Sequence, residues 1–100
     1  MAIEVDPHLQ LAAASPTAAS VGVASGLVLA RNTARRGAVF VNTSPNRISF
    51  GINAPAVLDS GITLYGNGGV WEMDEHPFTL ELINAIASGA ASGLAIQELT

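Results

Sequence analysis

The chain predicts an all-β fold: an antiparallel β-sandwich or jelly-roll-like barrel of about eight short strands, preceded by an extended N-terminal arm. Three observations carry this expectation. From residue 21 onward, short apolar runs are interrupted by Gly, Pro, Asn and Asp at intervals of about 8 to 12 residues. Within the clearest runs, bulky side chains fall at every second position, so one side of each strand faces a shared interior. No run is bulky on both faces, as a strand buried in a parallel sheet would be.

The arm is assigned to residues 1–20 and the sandwich domain to residues 21–100. Pro7, Pro16 and a run of Ala, Ser and Thr give the first segment no 3.6-residue periodicity and no large apolar face. Alone it could not offset its ordering entropy, so it is either a frayed terminus or an arm that lies along a neighbouring subunit and becomes ordered there. Val21-Gly22-Val23 and Leu27-Val28-Leu29 follow as two short strands. Ala38-Val39-Phe40-Val41 then leads into the turn set Asn42-Thr43-Ser44-Pro45-Asn46, in which Pro presets φ, and a hairpin is expected there.

The return strand Arg47-Ile48-Ser49-Phe50-Gly51-Ile52 alternates strictly, with Ile48, Phe50 and Ile52 toward the core and Arg47, Ser49 and Gly51 on a wet or lightly covered face. Asn53-Ala54-Pro55 breaks it. Asp59-Ser60-Gly61 turns into Ile62-Thr63-Leu64-Tyr65, and Gly66-Asn67-Gly68-Gly69 offers positions able to take positive φ before Val70-Trp71-Glu72-Met73, which predicts a second hairpin. Residues 79–87 also fit one side of a helix. Pro77 before the segment, Ser88-Gly89 after it, the β-branched Ile83 and Ile86 and the lack of a cap favour a strand. Leu94-Ala95-Ile96-Gln97-Glu98 closes the pattern.

At 100 residues there is room for one domain, and a domain of this size has a thin stability margin that added contact area would widen. With no cysteine, neither a disulfide nor a thiolate metal site supplies that margin, and the composition fits folding in a reducing cytoplasm. Hydrophobic residues make up 49% of the chain, and much of that is alanine, so the core is modest. Charged residues are only 12%, with no lysine. Such a surface is easily desolvated and suits a subunit largely covered by its neighbours. The net charge of -4 argues against nucleic acid as the main partner, because counterion release from phosphate needs a basic stripe and only Arg31, Arg35 and Arg36 cluster. The N-terminal residues lack the positive region of a secretory signal, and residues 18–30, the most apolar stretch, are too short and too interrupted to span a bilayer, so no membrane partner is expected.

Side chains for chemistry are few. A nucleophilic triad needs histidine, and the only two are His8 in the arm and His76 in the polar turn Asp74-Glu75-His76-Pro77. Adjacent residues on an extended chain point in opposite directions, so that turn is not read as a metal site. Glu72 with Glu81 or Asp74 could form a carboxylate pair, although nothing in the sequence sets the separation. The glycine loop lacks the lysine and helix of a phosphate loop. No enzyme, cofactor or metal is therefore expected. Tyr65, Trp71 and Phe78 are the candidate partner-interface aromatics, with Arg35 and Arg36 beside them as charged candidates. Trp71 and Met73 could equally fill the core.

The succession Arg36-Gly37-Ala38-Val39-Phe40-Val41-Asn42-Thr43-Ser44, then Gly61-Ile62-Thr63-Leu64 with Gly68-Gly69, then Ile83-Asn84-Ala85-Ile86-Ala87 and Leu94-Ala95-Ile96-Gln97-Glu98 resembles small virion proteins of tailed bacteriophages, of the capsid decoration (cement) or head-fibre type. The resemblance covers roughly residues 21–98. It implies a β-sandwich, commonly trimeric, that is assembled in the host cytoplasm and joins the virion, with the major capsid protein or another virion protein as partner. A different class, a receptor- or carbohydrate-binding module of a fibre or tail appendage, would use Tyr65, Trp71 and the glycine loop.

Overall fold

A computed structural model describes residues 13–73 and 78–100. Eight strands form among them: β1 (Ala14–Val21), β2 (Gly26–Leu29), β3 (Gly37–Asn42), β4 (Ile48–Ile52), β5 (Thr63–Leu64), β6 (Gly69–Met73), β7 (Ile83–Ala87) and β8 (Ser92–Leu99). All pairings are antiparallel, in two four-stranded sheets: sheet A in the order β1-β8-β3-β6 and sheet B in the order β2-β7-β4-β5. The partners nest, first strand with last and second with seventh, then β3 with β6 and β4 with β5. That is one long hairpin rolled over on itself, a jelly roll closed as a β-sandwich.

The interior is set by the alternation legible in the sequence. Phe40, Leu94, Ile96, Trp71 and Met73 from sheet A face Ile48, Phe50, Leu64, Ile83, Ala85 and Ala87 from sheet B. Phe40 and Trp71 are cross-strand partners on sheet A, stacked with ring centroids 4.7 Å apart. Phe50 reaches them from sheet B at 5.3 and 5.1 Å in tilted contacts, so three rings join the two sheets. Contacts of this kind add about 0.5–1.5 kcal/mol each beyond the area they bury.

The strand pairing differs from the sequence expectation in a consistent way. Neither predicted hairpin forms, because β3 and β4, like β5 and β6, lie in opposite sheets. Their connections arch over one end of the core, and a polar centre holds the arches. Asn42 is fully buried there, its Nδ2 donating to the carbonyl oxygens of Asn46 (2.6 Å), Tyr65 (3.1 Å) and Leu64 (3.2 Å), while its Oδ1 accepts from the Ser44 amide (3.0 Å) and hydroxyl (2.7 Å). The two arches also bond directly, Asn67 N to Ser44 O at 2.7 Å and Gly68 N to Asn42 O at 2.8 Å. Gly66 lies so close to the Pro45 backbone that any side chain would collide with it.

Two further boundaries move. Residues 14–20, expected in an arm outside the domain, pair along β8 as an edge strand of the sandwich. The rest of that arm, residues 1–12, lies outside the described residues. The strand expected at Val21-Gly22-Val23 ends at Val21, which is buried, while Val23 is exposed beyond it.

Candidate interaction surface

Each sheet has an outer face, and the two are finished differently. On sheet B the return segment between β4 and β5 folds back over the face. Asn84 Nδ2 donates to Ala54 O (2.7 Å), the Ala56 amide donates to Ser25 Oγ (2.8 Å), and the Asp59 amide donates to Ser49 Oγ (2.9 Å). Ser49 also shares a 2.8 Å hydrogen bond with Thr63 Oγ1, and it is completely buried, the closed extreme of the wet or lightly covered face expected from sequence. Gly51 is required beneath this cover, since a Cβ there would stand 2.5 Å from Ala54 O. A hollow of about 420 Å³ opens beside the cover, lined by Ser25, Leu27, Asn53, Pro55, Leu82 and Asn84.

Sheet A has no such cover among the described residues. Its outward side chains form rows that can be read from the register. Ala18 on β1 lies opposite Ala95 on β8, Ala95 opposite Val41 on β3, and Val41 opposite Val70 on β6, an apolar row across all four strands. The adjacent row runs Pro16, Gln97, Val39, Glu72. Glu72 is the one ionisable side chain on this face among the described residues. A groove of about 230 Å³ lies between the rows, lined by Pro16, Thr17, Val39, Val41, Ala95, Ile96 and Gln97.

The edge of sheet A is closed to strand addition at its centre. Ala13 and Thr100 exchange both backbone hydrogen bonds (3.2 and 2.9 Å). Antiparallel alternation from that pair turns the backbone groups of Ala14, Pro16, Ala18 and Ser20 away from β8. Pro16 has no N–H to offer a further strand.

The described charges are mostly paired. Arg35, buried despite its charge, is a clamp on the end of the sandwich opposite the arches: Nε donates to Glu98 Oε2 (2.8 Å), Nη1 to Thr79 O and Glu81 O (both 2.9 Å), and Nη2 to Ala30 O (2.6 Å). Arg31 pairs with Glu81 at 3.2 Å nearby. At the surface Arg47 pairs with Asp59 at 2.7 Å. The hydrogen bond from Arg47, and its charge, hold the Asp59 carboxyl below its ordinary value, and the same bond raises Arg47. A lowered carboxyl contributes stability above its ordinary pKa of 3.8 that is lost as pH falls through the lower folded value. Carbon-detected NMR should place the Asp59 midpoint below 3.8, and Arg47→Met should return it there.

Of the five sequence-predicted interface residues, Tyr65 is 75% exposed on the glycine-loop arch and Phe78 is 40% exposed. Arg36 is exposed, its amide bonded to Leu99 O at 2.7 Å. Trp71 is in the aromatic core and Arg35 in the buried clamp, so neither offers its side chain to a partner in this fold. His8, Asp74 and His76 lie outside the described residues, and among those described no group of three His, Cys, Asp or Glu could hold a metal ion. The outward apolar row of sheet A, in which Ala18 and Val70 are exposed and Val41 and Ala95 half-buried, was missed from sequence, where Val39 and Val41 carried no sign of which side was inward beyond their alternation with Phe40. Comparison of the chain with protein-family models, with curated proteins and with solved structures gives no match.

Proposed function

We propose that this chain is a structural subunit of a virus particle, a decoration or cement protein that works as a homo-oligomer bound to the major capsid protein of a tailed phage. The observation that carries the reading is the apolar face of sheet A, left uncovered among the described residues, on a molecule whose other sheet is covered by its own chain. A subunit that adds buried area across joints between neighbours needs such a face, at roughly 25 cal/mol per Å² of apolar surface removed from water, and needs no bond-making groups. The jelly-roll strand order adds support by analogy, since viral capsid and lectin domains share it.

Mass spectrometry of purified particles of the phage that encodes the chain tests this. The chain is expected in stoichiometric proportion to the major capsid protein, and particles lacking it should rupture at a lower temperature. Particles without the chain, or with unchanged rupture temperature when it is deleted, would overturn the reading. The exposed ring of Tyr65 favours the second reading, glycan recognition at the glycine-loop arch. Glycan binding lost in Tyr65→Ala, with no incorporation into the capsid, would establish that reading instead.

A further inference from the structure

The sheet A face has relief as well as an apolar character. In the apolar row the β1 and β8 side presents small groups, Ala18 and Ala95, and the β3 and β6 side presents Val41 and Val70, while the adjacent row carries Pro16 and Gln97 against Val39 and Glu72. The apolar row is therefore stepped, lower over β1 and β8 than over β3 and β6.

We infer that this face binds a second copy of the chain, face to face about a twofold axis parallel to the strands and between β8 and β3. The inference rests on reading the chain as an assembly subunit, and it makes a twofold pair, rather than the trimer that the virion resemblance implies, the basic unit. Such an axis reverses strand order across the contact, laying β6 of one copy over β1 of the other and β3 over β8. Val70 then meets Ala18 of the second copy, and Val41 meets Ala95, so along this row the tall side of each copy fills the low side of the other, while in the adjacent row Val39 meets Gln97. The groove beside Val39, Val41 and Ala95 becomes the seat for a valine of the second copy. A twofold axis across the strands would set valine on valine and leave the alanine halves apart.

Charge and area agree with this arrangement. The two copies of Glu72 fall at opposite margins, each over Pro16 of the other, about three strand spacings or ~14 Å apart, which exceeds the screening length in physiological salt. Strands of 8, 8, 6 and 5 residues at ~3.4 Å rise and ~4.8 Å spacing give a footprint of about 440 Å² per copy. Two copies bury about 900 Å², just under the roughly 1,000 Å² of a stable specific interface. The pair is thus weak in dilute solution and strengthened wherever a larger assembly holds copies side by side.

Light scattering on the full chain should give a mass that rises from one chain to two with concentration. Val70→Glu, at a half-exposed site, should keep it at one chain throughout with unchanged circular dichroism and thermal midpoint. Val23→Glu, exposed outside the face, should leave the dimer intact. The chain has no native cysteine, and Ala18 and Val70 of one copy are separated by two intervening strands, about 14 Å. A bismaleimide reaching about 10 Å, the spacing of facing sheets, should therefore link two chains of the double variant Ala18→Cys, Val70→Cys but not the two sites of one chain. A wild-type monomer at every concentration, an oligomer that survives Val70→Glu, or no 18-to-70 link would overturn the inference. Dimers absent from phage particles would sink the virion reading alone, and chains present in particles but monomeric and unlinked would sink the twofold pair alone.

Discussion

Arg35→Ala is expected to lower the unfolding free energy by about 3–5 kcal/mol, the range for removing one partner of a buried ion pair. The side chain has no exposed surface, and four acceptors converge on it: a Glu98 carboxylate oxygen and the carbonyls of Ala30, Thr79 and Glu81. Alanine would leave four part-buried acceptors without their donor. The loss is a large part of the roughly 5–15 kcal/mol that holds an ordinary domain together, so urea denaturation followed by the emission of the single tryptophan should show a much earlier midpoint or no folded baseline. Arg35→Lys should rescue little, because an ammonium cannot span acceptors set around a planar guanidinium. A loss below about 1 kcal/mol for Arg35→Ala would mean that the clamp is dispensable.

Trp71→Ala is expected to cost about 3–5 kcal/mol by opening a cavity between the sheets. Trp71→Phe should cost less than about 2 kcal/mol. The difference follows from the surroundings: a phenyl ring keeps the stack on Phe40, and the indole Nε1, buried without an acceptor among the described residues, is a polar group whose removal leaves nothing unpaired. Circular dichroism must follow these variants, since they remove the fluorophore. Equal losses for the two would show that the ring stack contributes nothing specific.

The strands were legible wherever a large side chain alternated with a small one. Ile48, Phe50 and Ile52 marked β4, and Leu94 and Ile96 marked β8, because period two needs only local sequence. Sheet membership was not legible. A turn rich in Asn, Gly and Pro reads alike whether its flanking strands pair or part to opposite sheets, and what decides here is the buried Asn42 amide meeting carbonyls more than twenty residues away. Strand β1 escaped notice because Ala, Ser, Thr and Pro give a weak periodic signal and only Val21 is both large and inward. Arg35 offered no local clue either, since its acceptors come from three separate stretches of chain. The aromatics split accordingly: alternation puts Trp71 in the interior, while Tyr65, at the rim of an arch, is left in solvent.

The nesting of the strands has a consequence for how the molecule is made. Sheet A has β8 between β1 and β3, so its middle member is the one translated after the other seven strands. Until then β1 has no partner, and Ala14 must wait for Leu99, its register mate from the far side of the sequence. Closure is therefore a late, non-local event, slow on the scale set by loop entropy. During that interval both the valine rows and the rims of β1 and β3 that await β8 are open to neighbouring nascent chains, while the proline in β1, turned away from β8, guards only the outer edge.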